Sequence, residues 1–319
     1  MNTKHPTLTQ TNSILVDGAT GYIGSHLIHS LTKTRNDKTN IRCLVRKNAD
    51  ASDVNFLETS GARIFRADLN DDGLDTVFSQ VDVACHLIGS IALRKGETST
   101  SLHIGQTERF VQQCLKARVK KIIMISACGA DSKAESDYHR TKWQAERIVL
   151  DSGIPSLILR PSLVIGRISG NRNSKLIARL EYLIRNKKLV PLIAGGNNKV
   201  QPIFIQDLVE AILASFDLVG ISTNNDSIAE LGGPEIITLR ELVQRMMAKL
   251  NIVRSVLALP LPVASLAAYL AQLTQVVPII SLDQIRIAKQ DNICHNNKLE
   301  LLIKRNLTNI DDALDSYQW

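Results

Sequence analysis

Short apolar runs alternate with amphipathic stretches along the first half of the chain. "SILVD" leads through a glycine-rich turn into "YIGSHLIHSLTK", whose apolar positions recur at helical spacing. "NIRCLVRK", "ARIFRADL", "VDVACHLIG" and "KKIIMISA" then read as strands buried on both faces, and "IPSLILRPSLVIG" as a sixth. Between the fourth and fifth, "SLHIGQTERFVQQCLKARV" has a helical pattern. Strands alternating with helices predict an α/β fold, a doubly wound parallel sheet covered by helices on both sides.

After Gly166 the texture changes. "RISGNRNSKLIARLEYLIRNKK" is polar and basic, and "LVPLIAGG" is strand-like. "QPIFIQDLVEAILASF" reads as a strand followed by a helix, and "SIAELGGPEIITLRELVQRMMAKL" repeats the pairing, with Thr238 placed to cap the helix. The stretch from Ser255 to Leu282 carries no charge and is long enough to cross a bilayer. Pro260, Pro262 and Pro278 divide it, however, and the helix left between them has about four turns, too short for a core of ~30 Å. A helix that docks on a partner or lies on a membrane surface is expected there.

Gly18, Gly21 and Gly24 stand in "VDGATGYIGSHL", at the junction of the first strand and first helix. That spacing suits a tight turn, a close approach by a pyrophosphate, and tight packing of helix on strand. The free N–H groups and positive dipole end of the helix then face the phosphates. This predicts a dinucleotide-binding Rossmann domain over residues 12–165, after a disordered lead-in at 1–11. Residues 166–319 are expected to form a smaller mixed C-terminal lobe for substrate or partner, with some elements returning to the Rossmann sheet. At the end of the second strand, "LVRKN" offers Arg46 and Lys47 and no acid, which favours the 2′-phosphate of NADP(H) over the free hydroxyl of NAD(H). Asp68, ending the third strand, caps either the adenine or a turn.

Composition narrows the partners. The 319 residues are 44% hydrophobic and 22% charged, ordinary for a folded protein with a sizeable core. Aromatics at 4% and the lack of a recognition motif argue against nucleic acid, while a net charge of +7 points to another anionic partner. The basic run holding Arg172, Lys175 and Arg179 reads as a solvated face or as a site for an anionic substrate or acidic lipid headgroups. Cys43, Cys85, Cys114, Cys128 and Cys294 show no metal-ligand spacing, so reduced thiols and no metal are expected. The N-terminal "MNTKHPTLTQTNS" shows neither a secretion nor an import pattern. A cytoplasmic protein is expected, with a peripheral position at the inner face of the membrane as the alternative.

With "GATGYIGSHL", "LVR", "ADL", "YHRTK" and "LRPSLVIG" in this order, the chain resembles the extended and atypical short-chain dehydrogenase/reductases, of the NAD-dependent epimerase/dehydratase type. "SACGAD", "QPIFIQDLVEAI", "LGGPEIITLRELV" and "DQIRIAKQDN" narrow the resemblance. They are similar to the branch containing the nucleotide-binding alpha-subcomplex subunit 9 of respiratory complex I, with relatives tied to ubiquinone biosynthesis. The resemblance implies cofactor contacts at Gly18, Thr20, Gly21, Tyr22, Ile23, Gly24, Arg46, Lys47, Asp68, Leu69, Ile88, Gly89, Lys142, Pro161 and Val164. Backbone groups from Ser162 to Val164 are expected along the nicotinamide.

It also implies a tyrosine acid/base with a lysine four residues on, which are Tyr138 and Lys142. A lysine ammonium stabilises phenolate and lowers its pKa toward working pH. The accompanying hydroxyl belongs where this chain has Cys128, a weak donor. Ser126 lies two residues earlier on the same strand face and is the substitute donor if the strand end bends. His103 stands where the superfamily often has a relay asparagine, and a buried structural histidine is expected.

Two functions follow. One is an NADP(H)-binding accessory or sensing protein docked on a respiratory or quinone-synthesis complex. The alternative is an active NADPH-dependent oxidoreductase or epimerase on a lipid-like carbonyl or a nucleotide sugar.

Overall fold

The computed structural model describes residues 12–34, 39–91, 93, 96–170, 172–218, 227–273 and 281–319, so the lead-in at 1–11 lies outside the described residues. The first strands are β1 (Ser13–Asp17), β2 (Asn40–Val45), β3 (Arg63–Arg66), β4 (Val83–His86), β5 (Lys121–Ile125) and β6 (Ser156–Pro161). Interleaved with them are α1 (Tyr22–Thr34), α2 (Ala51–Thr59), α3 (Asp75–Phe78), α4 (Gln106–Ala117) and α5 (Asp137–Asp151), with a π-helical turn at Thr100–Gly105 leading into α4. The C-terminal half adds β7 (Val164–Ile165), α6 (Lys175–Asn186), β8 (Leu189–Ile193), β9 (Lys199–Val200), β10 (Ile203–Phe204) and α7 (Ile205–Phe216). It continues with β11 (Ile228–Leu231), β12 (Ile237–Thr238), α8 (Leu239–Leu250), β13 (Ser255–Leu259), α9 (Leu261–Leu273), α10 (Leu282–Ala288), α11 (Leu299–Ile303) and α12 (Ile310–Asp315).

Seven strands form one parallel sheet in the order β11-β6-β5-β4-β1-β2-β3, the expected doubly wound architecture. Successive residues of a strand face opposite layers. Ile14 and Val16 accordingly pack with Leu27, Ile28 and Leu31 of α1 and with α7, whereas Leu15 packs with Phe78, Phe110 and Val149 on the other side. The strand order reverses between β1 and β4, and the crevice at such a switch point is where these sheets bind ligands. A third cluster, including Ile165, Ile177, Leu180, Val190, Leu242, Met246 and Ile310, fills the C-terminal part. Its small sheets are mixed: β7–β10 and β8–β13 are parallel, and β9–β12 is antiparallel. Thr238 caps α8 by accepting Glu241 N–H.

Two expectations need correction. The expected sixth strand is two elements, because Pro161 has no N–H to continue the ladder. Ser162 N–H still reaches Leu231 O, but the next residues pair with β10 outside the main sheet. Within the uncharged stretch, Ser255–Leu259 is a strand on β8 and the helix begins at Leu261; residues 274–280 lie outside the description.

A buried ion pair joins α5 to the end of β6. Arg160 donates Nε to Glu146 Oε1 at 2.8 Å and Nη2 to Oε2 at 2.5 Å, with Glu146 almost wholly enclosed. Glu146→Ala strands the guanidinium and should cost ~3–5 kcal/mol, read as a lower urea midpoint at unchanged slope. An unchanged midpoint would show that the pair carries no structural weight.

Candidate functional site

β1 ends in Asp17, a fully buried carboxylate. It accepts Leu87 N–H at 2.6 Å and His86 Nδ1–H at 2.5 Å, bracing β1 against β4 where the strand order reverses. Gly18 follows at φ +61°, and a Cβ there would meet Leu87 C at 3.1 Å and Ile88 N at 3.2 Å. Gly21 N–H closes the turn onto Gly18 O at 2.8 Å. A Cβ on Gly24 would stand 2.4 Å from Gly18 O, so α1 packs directly on the loop. The first-turn N–H groups of α1 then have no partners within the helix. Thr20, Gly21, Tyr22 and Ile23 are at least partly exposed there, but the Tyr22 hydroxyl turns away to donate to Gly166 O at 2.5 Å. Gly166 N–H in turn donates to the Tyr317 hydroxyl.

At the ends of β2 and β3, Arg46 is 45% exposed with Nη1 3.8 Å from Glu97 Oε1. Lys47 Nζ donates to Asp71 Oδ1 at 2.7 Å, and the other Asp71 oxygen accepts Asp68 N–H. Leu69 is buried in the core. A recess of about 460 Å³ opens here, lined among others by Lys47, Phe65, Arg66, Ala67 and Asp71.

Tyr138 and Lys142 lie one turn apart on α5, whose first N–H groups, of Asp137 and Tyr138, are capped by Asp283 from α10. Lys142 is 2% exposed and donates Nζ to Ile125 O at 2.7 Å. Burial pulls its pKa down to about 8, against the pull of Glu146 and Asp17. A Cβ on Gly89 would come within 3.2 Å of that amine, so the end of β4 leaves the room it needs. Burial pushes the Tyr138 phenol up to about 12. The Tyr138 ring meets His103 edge-on at 5.3 Å.

His103 sits in the π-helical turn and is buried, as expected. Thr141 commits its hydroxyl proton to Asp137 O, so His103 Nδ1–H donates to Thr141 Oγ1 at 2.8 Å. His103 Nε2 then accepts Ser90 N–H at 3.4 Å. Burial, then the Lys142 charge, lowers this imidazole to about 3. Thr107 bridges His103 O and His86 Nε2, so a buried polar chain runs from Asp17 to Thr141.

The two hydroxyl candidates differ in state. The Cys128 thiol donates to Arg160 O at 3.1 Å and lies 3.3 Å from Cys294 Sγ. Ser126 Oγ is enclosed and makes no hydrogen bond to the described residues. Beyond Pro161, Ser162 N–H is taken by Leu231 O and Leu163 O by Ile203 N–H, which removes these two backbone groups from a ligand; Val164 is in β7. The basic run is also dispersed: Arg172 binds Asp53, Lys175 donates to Ser90 Oγ at 2.9 Å, and Arg185 pairs with Glu181.

Asp17, His86, Thr107 and Thr141 escaped the sequence reading, and Cys294 is read there only as a reduced thiol. Only Asp17, an acid ending an apolar strand just before the glycines, left a signal that could have been followed.

Gly24→Ala should therefore destabilise by ~1–3 kcal/mol as an overpacking change. Gly21→Ala, whose Cβ would clear Gly18 O at 3.0 Å, should cost less. Urea unfolding of both variants checks the order, and equal effects would contradict the close packing of α1.

The family model for the NAD dependent epimerase/dehydratase family matches residues 14–220. Among curated proteins the chain is similar to the mitochondrial NADH dehydrogenase [ubiquinone] 1 alpha subcomplex subunit 9 of Arabidopsis thaliana, at 27% identity over 89% of this chain and 71% of that one. This agrees with the branch expected from the motifs. An NADPH-dependent quinone oxidoreductase of Escherichia coli, solved with NADPH, superimposes with a TM-score of 0.73 at 19% identity, covering 96% of this chain and 100% of that one. UDP-glucuronic acid 4-epimerase of Bacillus cereus, solved with UDP-glucuronic acid and NAD, gives 0.71 at 17% identity over 95% and 97%. These two likenesses concern the fold. With its Rossmann sheet, its glycine turn and a family match across more than half its length, the chain belongs to the NAD dependent epimerase/dehydratase family.

Proposed function

We propose that this protein binds NADP(H) at the β1–β4 crevice and serves as an accessory or sensing protein of respiratory or quinone metabolism. The residues fit a dinucleotide: a left-handed turn at Gly18, a close packing of α1 that leaves no room for a Cβ at Gly24, a buried ammonium at Lys142, and an enclosed hydroxyl at Ser126 with no partner among the described residues. A bound dinucleotide would supply a hydride donor or acceptor there. Gly18, Thr20, Gly21 and Gly24 would hold the pyrophosphate on the α1 N-terminus. Ile88, Gly89 and Lys142 would border the nicotinamide ribose, with Pro161 and Val164 flanking the ring. The binding reading rests on one observation: the thiol at the expected hydroxyl position spends its proton on Arg160 O. The complex I subunit among the curated relatives supports a respiratory partner.

Arg46 and Lys47, with Asp68 and Leu69 at the neighbouring strand end, support NADP(H). A bidentate arginine–phosphate contact of ~1.5–3 kcal/mol corresponds to about ten- to a hundredfold in affinity. Calorimetric titration should give tighter NADPH than NADH binding, and Arg46→Asp should erase or invert the order. Tighter NADH binding by the unmodified chain would contradict the preference.

A second reading, an active oxidoreductase or epimerase using Tyr138 and Lys142, draws support from Ser126 Oγ, an orphaned buried donor beside the Lys142–Ile125 contact. As a binder, the protein keeps NADPH through purification and does not oxidise it with a panel of quinones, carbonyl lipids and nucleotide sugars. Consumption of NADPH by the unmodified chain, lost in Tyr138→Phe, would establish the second reading instead.

No described helix is long and apolar enough to cross a membrane. On α9, Val263, Leu266 and Tyr269 share a face and are each more than half exposed. This supports peripheral attachment at the inner face of an acidic membrane, helped by the net charge of +7. Pelleting with anionic vesicles should be reduced by high salt and lost in Leu266→Glu, whereas retention after alkaline carbonate washing would contradict a peripheral mode.

A further inference from the structure

Cys128 and Cys294 are separated by 166 positions in the chain, yet their sulfurs lie 3.3 Å apart. Both are held from their backbones. Cys128 N–H donates to Pro161 O at 3.0 Å, extending the β5–β6 ladder. Cys294 N–H donates to Gln201 Oε1 at 2.9 Å, and Gln201 is itself fixed through Gly233 O. The next two residues, His295 and Asn296, give their N–H groups to Glu230 Oε2. The contact is therefore built into the fold from two sides. Closing it to a disulfide needs a sulfur approach of about 1.3 Å, from 3.3 Å to the ~2.0 Å bond length. Cys43, Cys85 and Cys114 are fully buried in the core, and burial pushes each thiol up.

We propose that Cys128 and Cys294 form an oxidisable dithiol site, which peroxide converts to an intramolecular disulfide across the end of β5. Cys294, the more exposed of the two, meets the oxidant first. Its thiolate attacks the peroxide O–O bond and becomes a sulfenic acid, and hydroxide leaves as water. The Cys128 sulfur then attacks the sulfenic sulfur, its proton joins the departing hydroxide, and a second water leaves. Two thiols have lost two electrons and one peroxide has become two waters. Cys128 is buried away from the oxidant yet lies 3.3 Å from Cys294 Sγ, so it takes the second step and not the first. Oxidation removes the S–H from Arg160 O and ties the 291–297 loop to the sheet. This chemistry is independent of whether the crevice holds NADP(H) or turns it over.

The test uses the full chain, reduced and freed of reductant, then treated with hydrogen peroxide, denatured, alkylated and mapped by mass without reduction. The expected product links the peptides carrying Cys128 and Cys294, is two hydrogens lighter than the pair, and reverts with dithiothreitol. The oxidised protein should melt roughly 5–10 °C higher, because the link closes a long loop in the unfolded chain. Cys294→Ser should lose both the product and the shift. In Cys128→Ser, Cys294 should stop at a sulfenic acid that dimedone captures. Full alkylation of Cys128 and Cys294 after treatment, or a Cys294 sulfinic acid beside a free Cys128, would overturn the assignment.

Discussion

The candidate site depends on one buried charge. Lys142 carries its ammonium into a place with 2% exposure, where among the described residues it donates one hydrogen bond, to Ile125 O at 2.7 Å. Burial opposes the charged form, and Glu146 and Asp17 oppose burial, leaving the amine near pH 8. Its folded pKa lies below the ordinary 10.5, so from about pH 8 upward the unfolded chain binds more protons than the folded one. The stability this group contributes is thus fully present above about pH 10.5 and lost as pH falls through about 8. Such a residue destabilises the protein at neutral pH, and under the proposed function contact with a cofactor gives it a use there.

The surrounding structure serves that placement. Asp17 braces β1 to β4 and adds negative potential from below, while Gly89 leaves space at the end of β4. Glu146 faces both Lys142 and Arg160, so the ion pair that fixes α5 on β6 also tunes the amine. His103, held neutral, adds an acceptor without adding charge. Tyr138, by contrast, is pushed up to about 12 by burial. Burial thus acts on the two residues in opposite directions, lowering the lysine and raising the tyrosine.

The glycine turn, the six strands β1 to β6 and the Tyr138/Lys142 pair were readable because their signals are local: spacing, alternation and one helical turn. The expected sixth strand is too long because apolar content continues through "RPSLVIG" while β6 itself stops at Pro161, which lacks an N–H. The Asp17–His86 bond joins residues 69 apart, and the Cys128–Cys294 contact joins residues 166 apart. Periodicity carries no information about such pairs. The basic run was open to two readings that spacing does not separate: Arg172 and Lys175 share helical spacing in sequence, yet their partners are Asp53 in α2 and Ser90 in the loop after β4.

The central claim is that the Lys142 ammonium is held in reserve for a bound dinucleotide, and the pH dependence of NADPH affinity tests it most directly. If binding keeps Lys142 charged, affinity is flat near pH 7 and falls above about pH 8, approaching tenfold per pH unit. In Lys142→Met the affinity is weaker and the fall disappears. An affinity that is unchanged between pH 7 and 9.5 in the unmodified protein, or a fall that persists in Lys142→Met, would contradict the account.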